Sequence, residues 1–155
     1  TRRNDVHIDF DFRKVLALSK DNPVFYVQYA HARCYSILEK SKSVNKKNFS
    51  TDYIDSYIGL LKSISERKII RKIAEWPKVV EASAKNFEPH RIVTFLIELS
   101  SLFHSLQNEG KLNPELKFIV ENEDLTNARL LIIRSTKNVI FLGLRILGIE
   151  ALKKM

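Results

Sequence analysis

Two tyrosines and two basic residues lie on one side of a predicted helix near the start of the chain. At 3.6 residues per turn their side chains point within about 60° of one another, and the group consists of Tyr26, Tyr29, Arg33 and Lys40. Aromatic rings can stack on unpaired nucleic-acid bases, and Lys and Arg can hold the phosphate backbone. The competing interpretation is that the rings pack within the protein and that the two cations only solvate a surface.

A second basic group lies on the polar edge of the last predicted helix, where Arg134, Lys137 and Arg145 accompany Phe141. A ring among cations favours nucleic-acid binding, although the same residues could form a solvated edge. On another predicted helix, His104 lies beside the apolar stripe. For this residue, a half-buried histidine with satisfied hydrogen bonds is favoured over a nucleic-acid contact.

The residue types and spacings that support catalysis or metal binding are missing from the sequence. The four histidines lack partners at zinc-ligand spacing, and no glycine-rich loop ends in Gly-Lys-Ser or Gly-Lys-Thr. Cys34 is the only cysteine, which excludes an internal disulfide and is compatible with a reducing cytoplasm. We therefore expect no catalytic residue, no metal and no cofactor within these residues.

The net charge favours a polyanionic partner. Among 155 residues, 26 Lys and Arg outweigh 18 Asp and Glu, which gives a formal charge of +8 and suits RNA or an anionic membrane surface. No apolar run reaches the roughly 18 residues that span a membrane, and no signal peptide is visible at Thr1. We expect one domain of a cytoplasmic protein. The missing initial Met indicates a fragment of a longer chain.

The helix that carries the first group is predicted to begin at Pro23, with Asn22 as its N-cap. Its core face follows from an apolar stripe at helical spacing, which consists of Val27, Ala30, Cys34 and Ile37. Before it, the sequence favours a loop and then a short helix that ends at Lys20. After it, residues 41–53 are polar and basic and read as a connecting loop.

The middle of the chain predicts three more helices. The first has its core positions at Ile69, Ile70 and Ile73, with Ser65 as N-cap and an end or bend at Trp76, because Pro77 follows. A short helix then runs to Asn86. A long amphipathic helix from Pro89 to Asn108 follows, with Gly110 and Pro114 closing it, and its apolar stripe consists of Ile92, Phe95, Leu96, Leu99, Leu102, Phe103 and Leu106.

The last helix is predicted to begin at an N-cap formed by Asp124 or Thr126 and to stop at Gly148. Because it is apolar almost all round, we expect it to be the most buried helix, with Leu142 inside the core. The expected fold class is therefore all-α, a single helical bundle of about five helices joined by mostly short loops.

Three segments of the chain resemble those of a known protein family. The run NPVFYVQYAHAR from Asn22 to Arg33 resembles the first helix of the C-terminal anticodon-binding domain, of the DALR type, in class I arginyl-tRNA synthetases, whose pattern is close to NPVYYVQYAHAR. Similar segments continue at PHRIVTFLIELSSLFHSLQN and ARLLIIRSTKNVIFLGLRILGIEALKKM. Two positions depart from the family: Gln107 stands where it usually has Tyr, which removes a stacking ring, and Leu152 stands where it usually has Pro.

The resemblance implies a division of the chain and a function. Residues 21–155 would be the helical anticodon-binding domain, and residues 1–20 the end of a catalytic body with its connecting segment. The full enzyme would join arginine to its tRNA using ATP with Mg, whereas this chain lacks the HIGH-like and KMSKS-like motifs of that reaction. Its partners would be tRNA for arginine and the catalytic domain of the same chain, in a monomer without membrane contact.

The same resemblance, with the two groups above, defines the candidate RNA-binding residues. They are Tyr26, Tyr29, Arg33, Lys40, His104, Gln107, Asn108, Arg134, Lys137, Arg145 and Met155. The alternative function is a helical protein-interaction module without RNA binding, in which the basic surface serves solubility and the apolar helices pack on another domain.

Overall fold

The regular elements of the computed structural model are all helical in the part of the chain it describes, which is residues 12–16, 19, 21–42, 57 and 59–155. They are α1 (Phe12–Leu16), α2 (Pro23–Lys42), α3 (Ile64–Ala74), α4 (Trp76–Lys85), α5 (His90–Leu112) and α6 (Glu123–Ile146), with a 3₁₀ turn at Pro114–Leu116. The predicted all-α bundle is confirmed, with α2 to α6 as its main helices. The expectations for residues 1–11 and 43–53 lie outside the described residues.

The start of α2 is the one that the sequence predicts. The Asn22 side-chain oxygen accepts hydrogen bonds from the backbone N–H groups of Val24 at 3.1 Å and Phe25 at 3.3 Å. Pro23 occupies the first helical position, where a missing N–H costs nothing. Three of the four predicted core residues are buried and the fourth packs against the core, namely Val27, Ala30 and Cys34, followed by Ile37.

The N-cap of α3 is Ser63, so the prediction of Ser65 is wrong. The Ser63 hydroxyl accepts from the backbone N–H of Glu66, and the Glu66 carboxylate accepts from the backbone N–H of Ser63, which together form a capping box. Ser65 instead donates to the Glu109 carboxylate of α5 at 2.6 Å. The reciprocal pair needs an acidic residue three positions after the cap, and only Ser63 has one.

Helix α5 lies at the centre of the bundle and packs against α2, α3, α4 and α6. All residues of its predicted stripe are buried except Leu102, which is half-buried. The helix continues past the expected end at Asn108 to Leu112, and Gly110 is buried within it. A Cβ atom at Gly110 would lie 2.8 Å from the backbone oxygen of Leu116, so the glycine permits a close approach of the following turn instead of ending the helix.

The N-cap of α6 is Asn122 rather than Asp124 or Thr126. Its side-chain oxygen accepts from the backbone N–H of Leu125 at 2.9 Å. Thr126 instead exchanges hydrogen bonds with the backbone N–H and carbonyl of Val120, both at 3.0 Å, and thereby ties the preceding loop to the helix. Both rejected residues lie inside α6, beyond the position where a cap can reach the first N–H groups.

Burial of α6 follows the prediction for the helix as a whole but not for Leu142. This helix contributes more buried residues than any other described helix, yet the side chain of Leu142 is 45% exposed. The next residue, Gly143, faces the core so closely that a Cβ atom there would lie 2.6 Å from Leu96 Cδ2. One side of α6 therefore fills the core, and Leu142 lies on the other side.

Among the described helices, none is long and apolar enough to cross a bilayer.

Candidate nucleic-acid interface

Five of the candidate residues meet where α2 packs on α5, and we call this group the α2–α5 surface: Tyr26, Tyr29, Arg33, His104 and Gln107. The His104 ring centre lies 4.9 Å from that of Tyr26 and 5.5 Å from that of Tyr29. The sequence could place Tyr26, Tyr29 and Arg33 on one helix face, but only the packing of two helices brings the other two residues to them.

The two tyrosines of this surface differ in exposure. Tyr26 is half-buried against His104, which favours a packing role for its ring. Tyr29 is 36% exposed and stacks on Phe25 with the ring centres 6.2 Å apart and the planes 4° from parallel. Phe25, Tyr29 and His104 thus form a row of rings in which Tyr29 is the exposed member. Tyr29 is the ring that a base can reach.

The guanidinium of Arg33 is oriented by Gln107. With the Gln107 amide turned so that its oxygen faces Arg33, this oxygen accepts from Nη2 at 2.9 Å and from Nε at 3.2 Å. Two bonds to one planar fork fix its direction, since the guanidinium donors are rigidly arranged. Gln107 therefore holds the neighbouring cation in place.

His104 is half-buried, as expected, but its hydrogen bonding differs from the expectation. Its Nε2 atom is buried and has no hydrogen-bond partner among the described residues. Burial lowers the pKa of His104, and this effect outweighs the opposing influence of the Tyr26 backbone and the Gln107 side chain, while nearby Arg33 lowers it further. A lowered pKa keeps the ring neutral near pH 7, so His104 supplies a stacking surface rather than a cation.

The second basic group forms a different surface, which we call the α2–α6 surface: His31 and Tyr35 from α2, with Lys137, Phe141 and Arg145 from α6. The rings of His31 and Phe141 stack with centres 6.3 Å apart, and the Arg145 guanidinium lies 5.8 Å from the centre of the Phe141 ring. Burial lowers the pKa of His31, opposed by a hydrogen bond to the Leu152 backbone, and Lys137 lowers it further. His31 is therefore neutral near pH 7.

The two surfaces lie on different sides of α2. Tyr29 and His31 are two residues apart, which rotates their side chains by about 160° around the helix axis. The remaining candidates lie near these surfaces in sequence: Lys40 and Arg134 are exposed, Asn108 is exposed and accepts a hydrogen bond from Lys111, and Met155 is 50% exposed. The candidate residues therefore form two groups rather than one.

Sequence reasoning missed Tyr35 and Lys153. The Lys153 ammonium lies 5.7 Å from the centre of the Tyr35 ring, although the residues are far apart in the chain. Tyr35 follows His31 by four residues, so a second face of α2 could have been read from the sequence. Nothing local to Lys153 indicates that the end of the chain returns to α2.

The fold and these two surfaces define the class of the protein, an all-helical domain with exposed rings and cations on two sides of α2. The chain belongs to the DALR anticodon binding domain family, whose model matches residues 27–155.

Curated relatives and solved structures agree with this family. The chain is 46% identical over 157 aligned residues to the arginine–tRNA ligase of Rickettsia africae (strain ESF-5) and 45% identical to that of Rickettsia canadensis (strain McKiel). Each alignment covers 100% of this chain and 27% of the relative, so the chain spans about a quarter of their length. The fold also matches the Thermus thermophilus arginyl-tRNA synthetase with a TM-score of 0.69 at 24% identity, covering 96% of this chain and 24% of that one.

Proposed function

We propose that this chain is the anticodon-binding domain of an arginine–tRNA ligase and that it binds the anticodon loop of tRNA for arginine. Residues 21–155 would form the binding domain, and residues 1–20 would join it to a catalytic body. The observation that carries the proposal is the exposed ring of Tyr29 beside the oriented guanidinium of Arg33. Membership of the DALR family and the identity to arginine–tRNA ligases support it.

The chemistry of the α2–α5 surface suits an unpaired base and its phosphate. A splayed base can stack on the exposed part of Tyr29, the middle ring of this row, because every base has a π-face that packs on an aromatic ring. The N–H groups of Arg33 that do not face Gln107 can then donate to a phosphate oxygen. Lys40 lies seven residues beyond Arg33 on α2, about 10 Å along the helix axis, where it would meet the next part of the backbone.

One RNA loop can reach both surfaces. A helix with its side chains is about 10 to 12 Å wide, so a loop laid across the outer side of α2 would contact Tyr29 and Arg33 on one flank and the α2–α6 surface on the other. On that second flank, Lys137, Arg145 and Arg134 would hold phosphates. Recognition by stacking and charge, rather than bond chemistry, would be the work of this domain.

The activity of the whole protein follows from the same proposal. A catalytic domain elsewhere in the longer chain would join arginine to its tRNA with ATP and Mg, in a cytoplasmic monomer. This chain would supply no catalytic residue and no cofactor contact.

Binding of the 155-residue chain to tRNA tests the proposal. We expect it to bind tRNA for arginine more tightly than a tRNA that differs only in the anticodon, with an affinity that falls steeply as the salt concentration rises. Equal affinity for the two tRNAs would contradict anticodon recognition. No binding even at low salt would favour the alternative, a protein-interaction module.

A further inference from the structure

The chain turns back on itself after α6. Gly148 adopts a φ of +70°, in the region that favours glycine, and the backbone N–H of Ile149 donates to the Leu144 carbonyl at 2.9 Å. Beyond this turn, Ile149 and Ala151 pack against the core. Residues 149–155, which we call the C-terminal tail, therefore lie against the bundle although they form no helix or strand.

Two side chains of α2 hold the backbone of this tail. The Gln28 amide donates to the carbonyl of Glu150 at 2.7 Å, and Nδ1 of His31 donates to the carbonyl of Leu152, also at 2.7 Å. His31 is only 4% exposed. Both bonds go to backbone oxygens, so they fix the course of the tail without engaging its side chains. They leave the two lysines and the methionine that follow exposed.

The tail runs along α2 in the same direction as the helix. Glu150 contacts Gln28, Leu152 contacts His31, and Lys153 lies over Tyr35. Seven residues of helix advance by about 10 Å, and three residues of extended chain also advance by about 10 Å. The two spacings match, so the tail stays beside α2 over about two turns of the helix.

We infer that Gln28 and His31 are positioning residues that hold Lys153 and Lys154 of the tail on the α2–α6 surface, where these lysines bind RNA phosphates. The inference rests on the proposed function. It assigns a role to two polar residues of the NPVFYVQYAHAR run that lie outside the α2–α5 surface. It also extends the binding surface to two cations that lie far from α2 in the sequence.

Holding the tail in place before binding lowers the entropic cost of binding RNA. The last residues of a domain are usually mobile unless they are tied down, and binding a phosphate would then require ordering of the backbone and of two long side chains. With the carbonyls of Glu150 and Leu152 already held, much of that ordering is complete in the unbound chain. Lys153 and Lys154 then add to the positive field of Lys137 and Arg145.

A double-mutant cycle on the 155-residue chain tests the inference, with affinity for tRNA for arginine measured over a range of salt concentrations. Replacing both Lys153 and Lys154 with Ala should reduce the slope of log affinity against log salt by about 1.4, at 0.7 per single-strand phosphate. His31→Ala should lower the affinity and the slope in the same direction. In the chain that already lacks both lysines, His31→Ala should cause no further loss.

Three comparisons separate positioning from general stability. His31→Asn keeps an N–H donor near the place of Nδ1 and should restore most of the affinity. Lys68→Ala removes an exposed lysine of α3 and should leave binding unchanged. In nuclear magnetic resonance, the heteronuclear NOE values of Lys153 and Lys154 should fall in His31→Ala. If His31→Ala proves unfolded by circular dichroism, the same cycle is run with Gln28→Ala, whose side chain is only half-buried.

The outcomes that overturn the inference are distinct from failure of the proposed function. If the unsubstituted chain binds tRNA but a folded His31→Ala or Gln28→Ala keeps its affinity and salt slope, the positioning role is wrong. The role is also wrong if the loss is as large in the chain without the two lysines, since the residue would then act elsewhere. If the unsubstituted chain binds no tRNA, the proposed function fails, and the role of the tail in RNA binding fails with it.

Discussion

Arg129 of α6 and Glu66 of α3 form a buried ion pair with 2.7 Å between Nε and the carboxylate oxygen, and their side chains are 6% and 2% exposed. Arg129 also donates to the backbone carbonyls of Glu115 and Lys117, at 2.7 Å each. The Glu66 carboxylate also accepts a hydrogen bond from the backbone N–H of Ser63 at the start of α3. The pair therefore joins α6, α3 and the loop after α5 at one point.

We expect Glu66→Ala to destabilise the domain by about 3 to 5 kcal/mol, because it leaves the Arg129 charge buried without its partner. Urea denaturation followed by circular dichroism measures the free energy of unfolding. The matched control is Glu39→Ala, which breaks an exposed pair with Lys42 and should change the free energy of unfolding far less, because solvent screens the two charges. Similar losses for the two variants would contradict the structural role of the buried pair.

The exposed ring of Tyr29 should matter for RNA binding and little for folding. Tyr29→Ala removes one stacking surface worth about 1 to 3 kcal/mol, which corresponds to a roughly 5- to 150-fold weaker affinity for tRNA. Phe87→Ala is the control. Phe87 is 88% exposed and lies in the loop before α5, whereas His104 lies in the second half of that helix. Fluorescence anisotropy measures both affinities. Unchanged binding by a folded Tyr29→Ala would place the contacts elsewhere, with the α2–α6 surface as the next candidate.

Gln107 should contribute to RNA binding only through Arg33. Gln107→Ala removes the acceptor that orients the guanidinium, and we expect a loss of about 1 kcal/mol, or roughly fivefold in affinity. The same substitution in an Arg33→Ala chain should have no further effect, because there is no guanidinium left to orient. A loss that persists without Arg33 would mean that Gln107 contacts RNA itself.

The two sides of α6 should respond differently to a buried charge. Leu144 is 1% exposed and Leu142 is 45% exposed, so Leu144→Asp should unfold most of the protein at room temperature, whereas Leu142→Asp should lower the melting temperature only slightly. An unpaired buried carboxylate costs several kcal/mol, comparable to the stability of a whole domain. Thermal melting followed by circular dichroism compares the two variants, and equal melting temperatures would contradict the assignment of faces.

Acidification should weaken the fold through His31 and His104. Burial lowers the pKa of each below the ordinary value of 6.5, so between that value and the folded-state pKa the unfolded chain binds more protons than the folded one. The free energy of unfolding therefore falls as the pH falls below about 6.5 and is fully retained above it. Urea denaturation at pH 7.5 and pH 5.5 measures the change. His104→Phe should flatten this dependence, and a steeper one would contradict the assignment.

The sequence predicted those features that depend on neighbours along the chain. The Asn22 cap, the apolar stripe of α5 and the Gly148 stop follow from local hydrogen bonding and helical periodicity, and the structure has all three. The sequence placed Leu142 in the core because α6 is apolar almost all round. One buried side of the helix cannot hold all of these apolar residues. Periodicity alone does not say which of them is left outside.

The candidate site could be predicted only in part because its contacts join distant segments. Tyr26, Tyr29 and Arg33 share one helix face by spacing alone, but their meeting with His104 and Gln107 depends on how α2 packs on α5. The Glu66 and Arg129 pair has no signal in either local sequence. The sequence already separated most of the candidate residues into a face of α2 and the polar edge of α6, whereas the neighbours of each group, such as His104 and His31, follow from the packing of the helices.

The contacts of α2 with α6 and the C-terminal tail also affect how the domain folds during synthesis. Gln28 and Glu150, which meet in the folded protein, are 122 positions apart in sequence, and α6 packs more extensively on α2 than any other pair of described helices does. Such a non-local contact forms late, because a long loop must close before the contact can stabilise it. During synthesis, α2 therefore leaves the ribosome well before its principal partner exists, with the apolar side of Val27 and Ala30 uncovered. A ribosome that pauses before α6 would hold a nascent domain open to chaperones and to proteases.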